Sequence, residues 1–152
     1  MSNFQVSVVM GSNSDYADMK SCLKMLDEFN ISYEVKVLSA HRMPEATLSY
    51  AKGLKPRGIK VVIAGAGRSA HLPGAIAANT ILPVIGVPLA LPPLRGVDAL
   101  YSIVQMPAGV PVACMAIGAS GAKNAAILAV QILALSSSEM DVRLKEYKDK
   151  LR

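Results

Sequence analysis

The chain contains two histidines, and an arginine lies close to each of them in the sequence. His41 stands immediately before Arg42, and His71 follows Arg68 by three residues. A guanidinium binds phosphate oxygens in a bidentate manner, and a histidine exchanges protons near neutral pH. The surrounding segments, SAHRMP and AGAGRSAHLPG, supply serine hydroxyls and glycines that allow close approach of a ligand. Together they predict a site for a small phosphorylated molecule with histidine-based proton transfer.

A third polar segment, Gly11-Ser12-Asn13-Ser14-Asp15, comes directly before a predicted helix. Its glycine and hydroxyl groups, with the free N–H groups of the helix start, suit an anionic ligand. The same residues are typical of a helix N-terminus, with a serine as N-cap and an acidic residue complementing the helix dipole. From this segment alone, the capping interpretation is favoured.

A dinucleotide-binding interpretation of the AGAGRSAHLPG segment is weaker. Gly65, Gly67 and Ala70 match the pattern G-x-G-x-x-A. That fingerprint requires an acidic residue about 20 positions further on, which the sequence lacks there, and a helix that we expect the HLPG residues to interrupt. The structural alternative is a glycine-rich turn that lets loop and sheet pack closely.

These segments each follow a predicted strand. Short β-rich runs alternate with helical stretches, which is typical of βαβ units on a parallel sheet. The predicted strands are Gln5–Met10, Tyr33–Leu38, Ile59–Ala64, Val84–Val87 and Val112–Ile117, and the predicted helices are about Ser14–Phe29, Pro44–Leu54, Val97–Gln105 and Ser120–Leu135. Ligands of such sheets bind beyond the carboxyl ends of the strands, so the three segments should lie together.

Length and composition indicate one domain over residues 1–152, because 52% of the residues are hydrophobic and 18% are charged. No uninterrupted apolar run of about 20 residues is present, which argues against a membrane span and favours the cytoplasm. The net charge of +5 is spread along the chain and aromatic residues are few, so nucleic acid is disfavoured. The apolar surplus predicts a homo-oligomer.

Metal binding is also disfavoured, because neither histidine has a cysteine or acidic cluster nearby. Cys22 and Cys114 lie far apart, and we expect both to be reduced and buried.

The last segment differs in character from the rest. Ser136 and Glu139 match a capping box, and a narrow apolar stripe follows on an otherwise charged helix, formed by Met140, Leu144, Tyr147 and Leu151. A C-terminal helix over about residues 137–152 is therefore predicted to dock on its own core or on a neighbouring subunit.

The ordered motifs GSNSD, SAHRMP, AGAGRSAHLPG, GVDALYSIVQMPAGVPVACMAIG and GAKNAAILAVQIL resemble the 5-(carboxyamino)imidazole ribonucleotide mutase family of purine (IMP) biosynthesis over nearly the whole chain. The resemblance implies a three-layer, flavodoxin-like, doubly wound α/β fold and a homo-octamer with active sites at subunit contacts. It also implies an isomerase that moves a carboxylate from the exocyclic nitrogen of a phosphoribosyl-imidazole to the ring carbon, without ATP, biotin or metal.

Roles for individual residues follow from the same resemblance. His41 is similar to the catalytic histidine, which gives and takes protons as carbon dioxide leaves nitrogen and is captured at carbon. Asp15 corresponds to a ligand of the ribose hydroxyls, and Arg42 to the phosphate clamp. The remaining substrate-binding positions implied are Gly11, Ser12, Ser14, Ser39 and Ala40, with Gly67, Ser69, Ala70, His71 and Leu72 lining the carbon dioxide pocket.

The AGAGRSAHLPG segment departs from the family pattern, which reads GAGGAAHLPG, because Arg68 and Ser69 replace a glycine and an alanine. Gly-Arg-Ser resembles the related aminoimidazole ribonucleotide carboxylases, which use carbon dioxide directly, so a direct carboxylase is the second hypothesis. A nucleotide-binding module without catalysis is the third.

Overall fold

Five parallel strands form one sheet in the computed structural model, which describes residues 4–152. The strands are β1 (Val6–Met10), β2 (Tyr33–Val37), β3 (Val61–Gly67), β4 (Val84–Leu89) and β5 (Ala113–Cys114). Their order across the sheet is β2-β1-β3-β4-β5, and each adjacent pair is parallel. This order is the flavodoxin-like, doubly wound arrangement, so the predicted fold class is confirmed.

Helices cover both faces of the sheet. They are α1 (Tyr16–Glu28), α2 (Pro44–Gly53), α3 (Leu72–Ala77), α4 (Val97–Val104), α5 (Ala119–Ala134) and α6 (Ser138–Asp149). Helices α1, α5 and α6 share one apolar core with the sheet, whereas α2, α3 and α4 share the other. Successive residues of β1 alternate between the two cores, with Val8 in the first and Val9 in the second. Burial on both faces explains the continuous apolar runs of the central strands.

Strand β3 begins two residues later and ends three residues later than predicted. The residues Gly65, Ala66 and Gly67 continue the ladder and pair with Val87, Pro88 and Leu89 of β4. A Cβ atom at Gly65 would lie 2.5 Å from the sulfur of Met19, and one at Gly67 would overlap a methyl carbon of Leu91. Glycine is needed here for close packing, as predicted, but both residues lie within a strand, so the predicted turn at these two positions was wrong.

The sequence pattern does not predict helix α3, because the HLPG residues were expected to interrupt a helix there. That expectation was wrong, since a short helix forms over Leu72–Ala77. It begins at Leu72 and carries Pro73 in its first turn, where a missing N–H costs no hydrogen bond. Strand β5 is shorter than predicted: Met115 still donates to the Gly86 carbonyl at 2.9 Å. The chain then turns at Gly118, whose φ is +77°, into α5.

A partly buried polar network anchors α2 and the turn after it to the sheet. Arg57 donates both terminal nitrogens to the carboxylate of Glu34 on β2, each at 2.8 Å. The same carboxylate accepts the hydroxyl of Tyr50, whose oxygen lies 2.7 Å from the Ser7 hydroxyl of β1. Burial raises the pKa of Glu34, but the hydrogen bonds from Arg57 and Tyr50 outweigh it, so the net pKa is lowered. Burial and the bond to Glu34 raise the pKa of Tyr50 to about 12.

The C-terminal helix α6 packs on its own domain. Its N-cap is Ser137, whose hydroxyl accepts from the Met140 N–H at 3.4 Å, so the predicted cap at Ser136 was one residue early. The side chains of Met140, Leu144 and Tyr147 pack against the core of α1 and α5, as the apolar stripe predicted. Leu151 is instead 62% exposed. Arg143 donates to the Phe29 carbonyl at 2.7 Å and ties α6 to the end of α1.

Candidate active site

The loops after β1, β2 and β3 meet at one edge of the sheet and enclose a cavity of about 530 Å³. Strand β1 lies between β2 and β3, and its last residue, Met10, pairs with Val37 on one side and Gly65 on the other. The cavity is lined by the predicted residues Gly11, Ser12, Ser14, Asp15, Ser39, Ala40, His41, Arg42, Gly67, Ser69, His71 and Leu72. The topology therefore brings the three polar segments together, as their strand-end positions predicted.

The first loop is both a helix start and part of the cavity wall. Ser12 and Asp15 form a capping box around a short 3₁₀ turn, Asn13–Asp15, that leads into α1. The backbone N–H of Ser12 donates to the Asp15 carboxylate at 2.9 Å, and the N–H of Ser14 donates to the Ser12 hydroxyl oxygen at 3.4 Å. The capping interpretation is confirmed, and the same side chains line the cavity.

The carboxyl group of Asp15 lies in an environment that disfavours its charged form. Its side chain is buried at the cavity wall. Burial raises the pKa of Asp15, although the backbone N–H groups of Ser12 and Gly11 partly oppose that effect. A buried carboxylate gains stability from further hydrogen-bond donors, and sugar hydroxyls are donors of the right kind.

The second loop presents Arg42 to the cavity. Its backbone is held by Ser39, whose hydroxyl oxygen accepts from the Arg42 N–H at 3.2 Å and whose carbonyl accepts from the Met43 N–H at 2.8 Å. Helix α2 then begins at Pro44, as predicted. Within residues 4–152 the guanidinium of Arg42 has no hydrogen-bond or ion-pair partner, so its donors are available to an anion.

The two histidines contact each other at the cavity wall. The Nε2 atom of His41 and the Nδ1 atom of His71 are 2.7 Å apart, and the two rings meet edge to face at an interplanar angle of 84°. One of these nitrogens must carry the hydrogen that the other accepts. The pair combines two groups that can carry protons at one point of the cavity wall.

The third loop starts with Arg68, whose φ is +55°. This is the left-handed region, which glycine adopts without strain. The His71 N–H donates to the Ser69 carbonyl at 2.8 Å, and α3 follows directly. Ala70 is packed in the core of α2, α3 and α4 and does not line the cavity, unlike the other predicted positions.

Four lining residues were not among the predicted site residues. They are Ala66 and Arg68 at the end of β3, and Leu91 and Pro92 after β4. Arg68 stands out in the sequence as a departure from the family pattern. Leu91 and Pro92 have only a positional signal, because the segment after a fourth parallel strand reaches the same edge of the sheet.

Other chemistries find little support in the part of the chain that the structure describes. Over residues 4–152, no three or more His, Cys, Asp or Glu residues are grouped to hold a metal ion. In the same range, every helix is too short or too polar to cross a bilayer. Cys22 is buried and Cys114 is partly exposed, so the prediction of burial was wrong for Cys114. Burial raises the pKa of the Cys22 thiol to about 12, which leaves it unreactive.

Comparisons with known proteins point to one enzyme family. The family model described as AIR carboxylase matches residues 5–152. The N5-carboxyaminoimidazole ribonucleotide mutase of Pyrococcus abyssi is 51% identical over 148 residues, which cover 97% of this chain and 84% of the relative. The Bacillus subtilis mutase is 53% identical over 144 residues, covering 95% and 89% of the two chains. Among solved structures, Treponema denticola PurE superposes with a TM-score of 0.84 at 31% identity, covering 96% and 90%.

Proposed function

The chain belongs to the AIR carboxylase family, and we propose that it is an N5-carboxyaminoimidazole ribonucleotide mutase, an isomerase of purine biosynthesis. The relatives at about 50% identity carry that name. The observation that carries the proposal is the contact of His41 with His71 beside an unpaired Arg42, because it joins proton transfer to phosphate binding in one cavity. The isomerisation requires both proton transfer and binding of the nucleotide phosphate.

The proton balance of this reaction suits a single histidine. The bond between the exocyclic nitrogen and the carboxylate carbon breaks, the nitrogen gains a proton and carbon dioxide is released. Ring carbon C4 then attacks carbon dioxide, and its own proton departs. One proton is supplied and one is removed, so His41 can donate first and accept afterwards, with no net change. His71, at 2.7 Å, orients the His41 ring and fixes which nitrogen faces the substrate.

Substrate binding is assigned to the remaining polar groups. Arg42 binds the phosphate, and Asp15 accepts from the ribose hydroxyls. Ser12, Ser14, Ser39 and the backbone of Gly11 and Ala40 complete the nucleotide site. Gly67, Ser69 and Leu72 form the wall around the transient carbon dioxide, with Ala70 supporting that wall from behind. Exclusion of bulk water at this wall would keep carbon dioxide from escaping.

The assembly is proposed to be a homo-octamer in the cytoplasm, with α6 also contacting a neighbouring subunit. Tyr101 is 64% exposed and Leu94 is 58% exposed, although both are large apolar side chains. Their burial between subunits would remove this apolar surface from water. A phosphorylated nucleotide does not cross a membrane unaided, so the enzyme must share the compartment in which its substrate is made.

The experiment that tests the mutase proposal supplies the carboxyamino nucleotide in buffer with ¹³C-bicarbonate and follows the label in the ring-carboxylated product. Unlabelled product is expected, because the carboxylate stays within the site. The variant His41→Asn serves as the background control for spontaneous conversion.

Direct carboxylation is the second candidate function. The Arg68-Ser69 pair favours it, as does the name of the matched family, AIR carboxylase. It predicts labelled product at a level above the His41→Asn background. Nucleotide binding without any product would instead support a non-catalytic binding module, and both histidines would then be dispensable.

A further inference from the structure

Arg68 occupies a backbone position that suits glycine. It follows β3 directly, and its φ of +55° lies in the left-handed region, which arginine rarely adopts. The arginine therefore brings a conformational cost that a glycine would avoid. An arginine at such a position indicates that its side chain has a function that compensates for the backbone strain.

The guanidinium of Arg68 is not used by the fold. It lines the cavity, and within residues 4–152 it forms no hydrogen bond or ion pair. Arg42 lines the same cavity and is equally unpaired. Among the described residues of the lining, Asp15 has the one carboxylate, and it already accepts from the backbone of its own capping box. The cavity therefore offers two free guanidinium groups to a ligand and has an excess of positive charge.

The two arginines come from opposite sides of β1. Arg42 follows β2 and Arg68 follows β3, and both strands pair with β1. Neighbouring strands lie about 4.8 Å apart, so the two loops start about 10 Å from each other. Two guanidinium groups placed on either side of the β1 loop suit a ligand with two anionic groups separated by a sugar, better than a ligand with one.

We propose that Arg68 binds the carboxylate of the nucleotide while Arg42 binds its phosphate, so that Arg68 sets a preference for carboxylated over decarboxylated imidazole ribonucleotides. This inference rests on the proposed function. The substrate and the product of the isomerisation each carry a phosphate and a carboxylate, whereas the decarboxylated aminoimidazole ribonucleotide carries only the phosphate. Arg68 acts here as a specificity residue for this class of ligand.

The test is equilibrium binding of the ring-carboxylated nucleotide and of aminoimidazole ribonucleotide to the wild type, Arg68→Gly and Arg68→Lys, by titration calorimetry. Loss of a hydrogen-bonded charge predicts an affinity about 10-fold to 100-fold lower for the carboxylated nucleotide in Arg68→Gly. The affinity for aminoimidazole ribonucleotide should stay within about twofold, because its phosphate contacts Arg42. Arg68→Lys should recover part of the loss, since it keeps the charge but not the planar fork.

Arg95→Gly provides a matched control. Arg95 also has a positive φ, +52°, and does not line the cavity. Both glycine variants relieve the same kind of backbone strain, so both should fold at least as well as the wild type in thermal unfolding. Only Arg68→Gly should change ligand affinity.

Equal weakening of both nucleotides by Arg68→Gly would place Arg68 at the phosphate and overturn the assignment. If Arg68→Gly binds both nucleotides as tightly as the wild type does, and the wild type performs the isomerisation, the assignment is overturned and the proposed function stands. A wild type that binds neither nucleotide and forms no product would overturn the proposed function together with it.

Discussion

The Nε2 atom of His41 lies 2.7 Å from the Nδ1 atom of His71, although the two residues are 30 positions apart and follow different strands. Because β2 and β3 flank β1, the loops after them reach the same edge of the sheet and close over the β1 loop. The contact joins the two histidines of the chain into one unit at the cavity wall. It also gives His71 a defined partner, which suggests separate roles for the two rings.

Replacing His41 by Asn should lower kcat by at least about 10³-fold, because the positioned proton carrier is lost. His71→Asn should lower it by only about tenfold, since an amide at that position can still contact His41. Steady-state kinetics with the carboxyamino nucleotide provide the measurement. Nucleotide affinity, measured by calorimetry, should change little in either variant. A loss in His71→Asn as large as that in His41→Asn would make His71 a proton carrier as well.

Asp15→Asn should separate stability from binding. The pKa of Asp15 is raised from its ordinary value of 3.8, so the folded protein favours the protonated carboxyl group. The stability that this group contributes is present below pH 3.8 and is lost as the pH rises through the folded-state pKa. Removing the charge should therefore raise Tm at pH 7. This gain in Tm should disappear as the pH is lowered towards 3.8.

The same Asp15→Asn variant should bind nucleotide about tenfold more weakly, because a charged hydrogen-bond acceptor for the ribose is lost. Asp18→Asn is the control, since Asp18 lies in the first turn of α1 and does not line the cavity. It should leave nucleotide affinity unchanged. A lower Tm in Asp15→Asn at pH 7 would show that the carboxylate stabilises the loop.

Glu34→Gln should destabilise the fold without altering the cavity, because Glu34 does not line it. Arg57 would lose the bidentate carboxylate partner that it now holds at 2.8 Å, at a cost of about 1–3 kcal/mol at pH 7. The pKa of Glu34 is lowered from 4.5, so its contribution is present above pH 4.5 and is lost as the pH falls through the folded-state pKa. Urea unfolding at pH 7 and pH 3 should show the difference between variant and wild type shrinking at the lower pH. An equal difference at both values would contradict the assigned charge.

Gly121→Ala should be strongly destabilising. A Cβ atom at Gly121 would overlap the Ala116 carbonyl oxygen, a backbone atom that cannot rotate away. We expect a loss of about 3 kcal/mol or more, or failure to fold. Gly53→Ala is the matched control in another helix, because no atom lies within 4 Å of the place that its added methyl group would occupy. It should be neutral or slightly stabilising in thermal unfolding, and equal behaviour of the two variants would refute the packing argument.

Tyr101→Lys should disrupt the proposed octamer. Val97, Tyr101 and Val104 are spaced to form one stripe on α4, and all three are exposed in the single chain. A lysine in a buried subunit contact would lack a partner, so light scattering should show a smaller assembly. Gln105→Lys adds the same charge just beyond α4 and should leave the assembly intact. An unchanged mass for Tyr101→Lys would exclude this stripe from the interface.

Local patterns in the sequence were sufficient for the type and order of most elements. The apolar run at Val61 predicted a central strand, and Pro44 marked the start of α2, because hydrophobic periodicity and missing N–H groups act over a few residues. The ordered motifs also identified the family, which the comparisons confirm over residues 5–152. The gathering of three polar loops at one edge followed from strand ends alone.

The sequence by itself thus determined the doubly wound fold, the family and twelve of the sixteen residues that line the cavity. Only the tertiary structure decided that β3 runs on through Gly67, that His41 contacts His71 and that Arg68 has a positive φ. Each of these depends on atoms far apart in the chain. The strand continues because Gly67 still pairs with Leu89 of β4, and glycine is required there because Leu91 packs where a side chain would lie. The histidines meet because the loops after two different strands reach the same cavity. Sequence periodicity reports which face of an element is apolar, whereas distances between loops are set by how all the elements pack together.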